Sequence, residues 1–405
     1  MTFPVSRRII NLYKWESLDV LRLFLKAKLI KGEYEDLFLR DFSKYVGCEY
    51  AVAASTGRMA LCAILESLDL PVGSQVIVPA YEDLSVPETI KELGLIPVFS
   101  DINYATQNIE LRQFEHKVTA KTSAIIVAHL FGNPCGMEEI ISFAKKKNLK
   151  VIEDCAHALG SRIGQKHVGN FGDAGFFSFH TTKPFMCFGG GMVITNNEKL
   201  WKKAQGFICE LSYPAPRDIV KRVIWAYVLN FVSSGIVFTL LTYPFLLAID
   251  LLKIDPICLY NRHFRGKLNI KKKETRFTNL QSLIGLKNLD IIGKNLEKRK
   301  RNAEALDRLL SKTINKVKFT EGVNYYYYII LSDKMEYIRK IMLRRGIDTG
   351  RAVMRNCPSI LGAEEGFPNT TSIFAASIQI PIHEKVSLRH IVKISQILSK
   401  IYPDE

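Results

Sequence analysis

Short apolar runs alternate with helix-period segments between residues 50 and 200. The runs are rich in Val and Ile and too short for helices, which is typical of buried strands. Strands that alternate with helices predict an α/β fold in which a mostly parallel sheet is flanked by helices. Ligands in such sheets bind beyond the carboxyl ends of the strands, so the residues after each strand are the first candidates for chemistry. The predicted strands are 75–78, 96–99, 124–127 and 150–153, and the predicted helices are 59–68, 87–93 and 137–147.

A long apolar segment, 223–249, interrupts this pattern and contains no charged residue. It divides the chain into three predicted parts: an N-terminal segment with the large domain (1–207), an apolar helical insertion (208–262) and a smaller α+β C-terminal domain (263–405). A single membrane crossing would separate the two domains across the bilayer. Two helices broken near 233–235, or at Pro244, would each span about 20 Å, less than the roughly 30 Å hydrocarbon core. We therefore expect a re-entrant or interfacial helical hairpin against anionic lipid, and the alternative is a hairpin buried between subunits.

The composition is that of an ordinary globular protein, with 405 residues of which 47% are hydrophobic and 24% charged. It excludes a disordered chain, a collagen and a coiled coil. Eight cysteines without a C-x-x-C pair argue against a zinc site or a disulfide framework, so we predict no metal and a reducing cytosol. Residues 1–14 hold no long apolar run, and we expect no signal peptide. The net charge of +16 favours an anionic membrane or a phosphorylated substrate, since no nucleic-acid-binding motif accompanies it.

The strongest candidate chemistry is a carboxylate and a lysine, Asp154 and Lys183. Asp154 follows a predicted strand directly, and Lys183 lies in a turn before the triple glycine 189–191. Pyridoxal phosphate chemistry needs this pair: a lysine for the Schiff base and a carboxylate that keeps the pyridine nitrogen protonated. Taken singly, Asp154 could be a helix cap and Lys183 a surface lysine.

These residues belong to blocks that resemble the DegT/StrS family of sugar aminotransferases over nearly the whole chain. The resemblance implies the type I fold of PLP-dependent transferases, the aspartate aminotransferase fold. The EDxAxA and SFxxxK blocks, at this separation, carry it most specifically. The matching segments are AVAASTGRMAL, VIVPAY, IPVFSDI, AHLFGNPCGM, VIEDCAHALGS, FGDAGFFSFHTTK, GGGMVITN, RFTNLQSLIGL and FPNTTSIFAASIQIPI.

The resemblance assigns roles to four side chains. Lys183 forms the Schiff base and then moves the proton between substrate and cofactor, and Asp154 pairs with the pyridinium. Ser178 hydrogen-bonds the phosphate. His157 stands where the family usually has Gln, near the phenolic oxygen of the cofactor, and its alternative is a core histidine.

Five further positions concern the phosphate or the ring of the cofactor, and at some of them the residue differs from the one usual in the family. Gly57 opens a predicted helix, where main-chain N–H groups bind anions and a glycine lets phosphate approach. Arg58 replaces a Thr and could hold the phosphate with its guanidinium, or could be a solvated residue at the helix start. Asp83 lies near the position of the ring-stacking aromatic, and Tyr81 is the nearest replacement unless it is a core tyrosine. Glu274 replaces an Asn that reaches the phosphate from the neighbouring subunit, so that contact is expected to be lost or supplied by Arg58.

The resemblance therefore implies a homodimeric PLP-dependent aminotransferase. Glutamate or glutamine would supply nitrogen to a keto-sugar, typically nucleotide-linked, for cell-surface polysaccharide, and a lipid-linked sugar is the variant if the insertion binds membrane. We expect a cytoplasmic protein, peripheral or monotopic on the inner face of the cytoplasmic membrane. The alternatives are a catalytically silent, membrane-associated scaffold or regulator of the same fold, and a PLP-dependent sugar dehydratase. Some family members become dehydratases by exchanging the lysine for histidine, so the retained Lys183 favours transamination.

Overall fold

A seven-stranded sheet lies at the centre of the N-terminal half of the chain. The structure is a computed structural model and describes residues 3–7, 10, 12, 14–252, 275–351, 354–363 and 366–402. In spatial order the strands are β1 (Tyr50–Ala54), β10 (Gly191–Thr195), β9 (Ala174–Ser178), β6 (Lys150–Asp154), β5 (Thr122–Ala128), β2 (Gln75–Pro79) and β4 (Ile96–Ser100). Six strands run in one direction and β10 runs opposite to both of its neighbours. The four predicted strands and the mostly parallel sheet are confirmed.

Helices cover both faces of this sheet. Successive strand residues point to opposite faces, so Val76 and Val78 pack in one core with the first helix after β1, while Ile77 packs in a second core on the other side. The three predicted helices are present with ends shifted by at most a few residues. The helices of this half are α1 (Lys14–Leu25), α2 (Tyr34–Val46), α3 (Gly57–Ser67), α4 (Ser85–Glu92), α5 (Leu111–Phe114), α6 (Met137–Lys147) and α7 (Glu198–Cys209), and its short strands are β3 (Tyr81–Glu82), β7 (Arg162–Ile163) and β8 (Lys166–His167).

The C-terminal half builds a separate apolar core around a long helix. This helix begins with a capping box in which the Thr278 and Gln281 side chains accept each other's main-chain N–H groups. Its last turns pack, through Ala303 and Leu306, on a two-stranded antiparallel sheet and two helices. The elements, after the apolar segment, are α11 (Asn279–Leu309), β11 (Tyr328–Leu331), α12 (Met335–Arg344), β12 (Arg355–Asn356), α13 (Cys357–Leu361), α14 (Pro368–Ala376), β13 (Ser377–Ile380) and α15 (Leu388–Ile401). The predicted boundaries at residues 207 and 262 stay predictions.

The apolar segment forms a bent helix. It comprises α8 (Pro216–Ser233), α9 (Gly235–Val237), a π-helical stretch (Phe238–Thr242) and α10 (Tyr243–Leu251). The break falls at residue 234, the first of the two predicted places, but the two halves meet at a bend of 59° and do not fold back on each other as a hairpin. Within the described residues no single helix has the length and apolar character of a membrane span, and this bent pair has them only when its two halves are taken together.

One side of the bent helix is buried and the other is apolar and exposed. Ile219, Val223 and Ala226 pack against α11 and against the loop that follows β9. At the far end, the Tyr243 hydroxyl donates to the Leu343 carbonyl oxygen of α12 at 2.8 Å. The exposed apolar side chains are Ile224, Trp225, Val228, Phe231, Ile236, Leu240, Leu241, Phe245 and Leu251. Exposed apolar surface of this extent is unusual for a monomer in water.

Candidate active site

Asp154 is the last residue of β6, at the carboxyl edge of the sheet. Its side chain is buried, and Oδ1 accepts a hydrogen bond from the Ala156 N–H at 2.8 Å. Burial raises the pKa of Asp154 to about 6, although the Ala156 N–H and the positive charge of Lys183 both lower it. A buried carboxyl group beside a lysine is well suited to hold a cationic nitrogen of a ligand.

Lys183 approaches Asp154 from the loop after β9. Its main-chain N–H donates to the His180 carbonyl oxygen at 2.8 Å, which forms a tight turn. Its Nζ lies 5.2 Å from the centre of the Tyr326 ring. The structure therefore brings the two residues that the sequence paired into one pocket, although 29 positions separate 154 from 183.

A small cradle lies beside this pair, at the start of α3. The Thr56 side chain caps the helix by accepting the Met59 N–H at 3.0 Å. A Cβ atom on Gly57 would stand 2.8 Å from the Ser178 Cβ, so a side chain at Gly57 would fill the space between α3 and β9. The main-chain N–H groups at a helix start, a glycine and a serine hydroxyl fit a phosphate group.

His157 is buried in an aromatic cluster next to the lysine loop. Its ring centre is 4.6 Å from that of Tyr326 and 6.1 Å from that of Phe131. Nδ1 accepts the Phe131 N–H at 3.4 Å. Tyr326 thus contacts both the Lys183 ammonium group and the His157 ring, which places the histidine at the wall of the same pocket.

The sequence matches the DegT/DnrJ/EryC1/StrS aminotransferase family over residues 14–213 and 262–399. The chain belongs to this family. The match omits residues 214–261, which include the apolar bent helix.

Named relatives cover only part of the chain. A GDP-perosamine synthase of Escherichia coli O157:H7 is 40% identical over 177 residues, which is 44% of this chain and 49% of that protein. A dTDP-3-amino-3,6-dideoxy-alpha-D-galactopyranose transaminase of Aneurinibacillus thermoaerophilus is 41% identical over 170 residues, which is 42% of this chain and 47% of that protein. The chain therefore spans about half the length of the curated relatives it matches.

Solved structures match the fold over nearly the whole chain. An aminotransferase from Psychrobacter cryohalolentis superimposes with a TM-score of 0.77 at 23% identity and covers 98% of this chain and 99% of its own. The Helicobacter pylori aminotransferase PseC, which is involved in the biosynthesis of pseudoaminic acid, gives a TM-score of 0.76 at 20% identity and covers 98% of both chains. These likenesses establish the fold.

The Arg58 side chain is placed differently from the expectation of a phosphate contact. The Arg58 guanidinium does not face the cradle: Nη2 lies 2.7 Å from Glu92 Oε2 and Nε donates to Thr89 Oγ1 at 3.2 Å, so the side chain ties α3 to α4. In this arrangement the guanidinium is paired with Glu92, and its contact with a phosphate stays a prediction. Glu274 lies outside the described residues, and the Arg276 guanidinium stacks on the Tyr213 ring at 4.5 Å.

Neither Asp83 nor Tyr81 provides the expected stacking ring. Asp83 Oδ1 accepts the N–H and the hydroxyl of Ser85, the first residue of α4, at 2.9 and 2.5 Å. The Tyr81 ring is fully buried in a core cluster with Ile102 and Met354, which is the core-tyrosine alternative. Burial raises the pKa of Tyr81, so its hydroxyl stays neutral.

Sequence reasoning missed Glu153, which organises the loops around β6. Its Oε1 accepts the N–H groups of Phe171 and Gly172, at 2.6 and 2.7 Å, and its Oε2 accepts the Gly169 N–H at 2.7 Å and pairs with His129 Nε2 at 3.0 Å. Cys155 completes a cluster with the geometry of a possible metal site, but both Glu153 oxygens are used by these hydrogen bonds. The role of Glu153 is structural, and its only sequence signal is a carboxylate next to Asp154.

Glu82 was also missed, and it lies in the pocket. Its side chain is 2% exposed, and its charge interacts with those of Asp154 and Lys183. The sequence signal was weak, since Glu82 comes four positions after the predicted strand 75–78, whereas Asp154 follows 150–153 directly.

Proposed function

We propose that the protein is a PLP-dependent aminotransferase that transfers an amino group from glutamate or glutamine to a keto-sugar. The observation that carries the proposal is the meeting of Lys183 and Asp154 beside the cradle of Gly57 and Ser178. An acid, an amine and a phosphate-sized cradle in one pocket fit pyridoxal phosphate, which supplies an electron sink when it is bound.

Each residue then has a task toward that group. The Asp154 carboxylate holds a proton on the pyridine nitrogen, and the cradle binds the phosphate through Ser178 and the first N–H groups of α3. Lys183 holds the cofactor through its Nζ and afterwards carries a proton to and from the substrate carbon. His157 orients the ring from the wall of the pocket. Because the pKa of Asp154 is about 6 in the ligand-free protein, we expect cofactor affinity to fall as the pH drops through 6.

The acceptor is proposed to be a nucleotide-linked keto-sugar for cell-surface polysaccharide. Support comes from the names of the relatives, which include a GDP-perosamine synthase and a dTDP-amino-sugar transaminase. The net charge of +16 suits a substrate that bears a diphosphate. A sugar dehydratase remains the competing activity, because a GDP-4-keto-6-deoxymannose-3-dehydratase shares the fold with a TM-score of 0.77 at 18% identity.

Absorbance spectroscopy tests the proposal. Purified protein is mixed with pyridoxal phosphate, and spectra are recorded before and after L-glutamate, with Lys183→Ala as the control. We expect a visible band that glutamate bleaches and that Lys183→Ala lacks. A protein without any band would refute the enzyme and leave the scaffold or regulator; a band insensitive to glutamate and glutamine would favour dehydration or another donor. Nitrogen transfer to a nucleotide-linked keto-sugar, followed by mass spectrometry, separates transamination from dehydration.

The apolar outer face of the bent helix is proposed to lie on an anionic membrane surface of the cytoplasmic membrane. Trp225 and Phe231 are both 59% exposed, and Arg217 and Lys221 lie on the outer side of the first turns of α8. Basic side chains beside an exposed apolar stripe favour anionic lipid headgroups. Flotation with vesicles of phosphatidylglycerol and phosphatidylcholine tests this: binding should need the anionic lipid and be lost in Trp225→Glu/Phe231→Glu.

The protein is further proposed to be a homodimer, as the family resemblance implies. Light scattering coupled to size exclusion measures the mass of the particle. A dimer that the Trp225→Glu/Phe231→Glu variant splits, without any vesicle binding by the wild type, would assign the apolar face to a second copy of the chain. A dimer that persists in the variant would mean that the apolar face is not the dimer interface and is available to bind lipid.

A further inference from the structure

Glu82 is held in a fixed place at the edge of the pocket. It ends the two-residue strand β3, which pairs antiparallel with β12 so that Glu82 lies opposite Arg355. The Cys357 thiol donates to its main-chain oxygen at 3.3 Å. With the backbone tied to β12 and α13, the side chain is 2% exposed and has little freedom to reach bulk water.

The two oxygens of this carboxyl group differ. Oε1 accepts the Asp83 N–H at 2.8 Å. Oε2 is buried and has no hydrogen-bond partner in the part of the chain that the structure describes. A main-chain N–H at Oε1 makes that oxygen the acceptor, so a proton on Glu82 resides on Oε2. A buried polar oxygen without a partner is costly and points to a ligand or water that completes it.

The surroundings disfavour a negative charge on Glu82. Burial is the largest effect that raises its pKa, the Asp154 and Asp83 carboxylates raise it further, and the Asp83 N–H and Lys183 offset only part of this. The titratable groups that act on it or feel its charge are Asp154 on β6, Lys183 after β9, Asp83 after β3, and the thiols of Cys135 and Cys357. One half-buried lysine beside two buried carboxyl groups can balance the charge of only one of them, so the other is best neutral.

We propose that Glu82 is a ligand-contacting residue of this site, which donates the O–H of a neutral carboxyl group from Oε2 to an acceptor oxygen of the molecule bound beside Lys183, while Asp154 carries the negative charge. The inference rests on the proposed function. It adds a residue, Glu82, that favours ligands with an acceptor oxygen opposite its Oε2. The acceptor oxygen belongs either to the cofactor or to the amino-acid donor, and the experiment distinguishes the two.

The test compares Glu82→Gln, Glu82→Ala and the matched control Glu88→Gln, a half-buried glutamate on the neighbouring α4. Pyridoxal phosphate is titrated into each ligand-free protein between pH 6 and 9, without substrate. Glutamine retains an N–H donor at the position of Oε2, so we expect its dissociation constant at pH 7 within about twofold of the wild type. Alanine should weaken binding about tenfold, the effect of one lost hydrogen bond. Where the wild type loses affinity with rising pH, Glu82→Gln should lose less, because glutamine cannot become charged.

A second arm assigns the acceptor oxygen. If the cofactor titrations of all variants match the wild type, the KM for glutamate is measured in the first half-reaction. A tenfold increase in Glu82→Ala that Glu82→Gln rescues would assign the oxygen to the amino acid and support the proposal. Unchanged cofactor affinity together with unchanged KM would overturn it, and so would a glutamine variant that keeps the pH profile of the wild type in both measurements.

A third readout needs no ligand and separates this inference from the proposed function. Since the folded pKa of Glu82 is raised, the ligand-free protein should lose stability as the pH rises above about 4.3, the value of an exposed glutamate. Thermal melts of Glu82→Gln should therefore show a midpoint above that of the wild type at pH 8, with a smaller difference at pH 5. A wild type that takes up no cofactor refutes the proposed function and this assignment together. A wild type that takes it up, with melts, titrations and a KM for glutamate that no Glu82 variant changes, refutes the assignment alone.

Discussion

Gly57→Ala tests the phosphate cradle with the smallest possible change. The added Cβ would lie 2.8 Å from Ser178 Cβ, 3.2 Å from its Oγ and 3.3 Å from its Cα. Carbon atoms in ordinary contact are about 3.5–4.0 Å apart, so the gap must open by about 0.7 Å. Because Ser178 Cα is also too close, rotation of the serine side chain does not relieve the overlap, and α3 or β9 has to shift.

The expected cost has a structural and a functional part. Overpacking of this kind costs about 1–3 kcal/mol of the free energy of unfolding, and the better helix propensity of alanine offsets at most about 1 kcal/mol. A shift at the cradle also removes one or more hydrogen bonds to a charged phosphate, each worth about 1.5–3 kcal/mol. We therefore expect pyridoxal phosphate to bind about 10- to 100-fold more weakly.

Pyridoxal without its phosphate provides the decisive comparison. Dissociation constants for pyridoxal phosphate and for pyridoxal are measured by the same absorbance titration, in the wild type and in Gly57→Ala. Only the phosphorylated ligand should lose affinity. Gly206→Ala in α7 is the control, because its added Cβ would meet nothing within 4 Å. An equal loss for both ligands, or no loss for either, would refute the assignment of Gly57 and Ser178 to the phosphate.

Three further predictions concern stability, each measured by urea denaturation. Glu153→Gln turns an NH2 group toward main-chain N–H donors and should lose about 3–5 kcal/mol of unfolding free energy, whereas the exposed Glu138→Gln should lose almost none; equal stabilities would contradict this. Arg299→Met leaves the Glu384 carboxylate buried without the guanidinium that now lies 2.8 Å away, and should cost about 3–5 kcal/mol; a loss below about 1 kcal/mol would show that the pair is not desolvated. Burial lowers the pKa of His167 to about 4, so the wild type should lose stability as the pH falls from about 6.5 to about 4. His167→Phe should remove about 1–2 kcal/mol of that loss between pH 7 and 5, and parallel profiles for both proteins would argue against it.

The strands and the paired site residues could be predicted because their signals are local. A run of apolar residues identifies a strand wherever it lies, and the residue after it must emerge at the carboxyl edge of a parallel sheet. That rule located Asp154, but it did not extend to Glu82, which comes four positions after the predicted strand 75–78. The antiparallel direction of β10 had no such signal, since the loop that carries Lys183 returns the chain beside β9 without a crossover helix.

The contacts that could not be predicted join side chains that are distant in the sequence. No residue near Arg58 in the sequence indicates that Glu92, on the next helix, forms an ion pair with its guanidinium. The ring of Tyr81 is directed into a core that includes side chains from the C-terminal half, among them Tyr327 and Met354. The bend at residue 234 has the same origin, because packing on α11 and α12 sets the direction of the two halves, whereas composition predicts only that they break.

The same packing connects the apolar segment to the chemistry of the pocket. Ile219 and Val223 of α8 share a core with Met186 and Phe188, which follow Lys183 on its loop. Removal of the segment would expose that loop as well as abolish the apolar outer face, so a deletion confounds lipid binding with damage to the site. Substitutions on the outer face leave those inner contacts in place. Loss of vesicle binding with unchanged cofactor affinity in such variants would mean that the two faces of α8 serve separate purposes, one toward the surroundings of the protein and one toward Lys183.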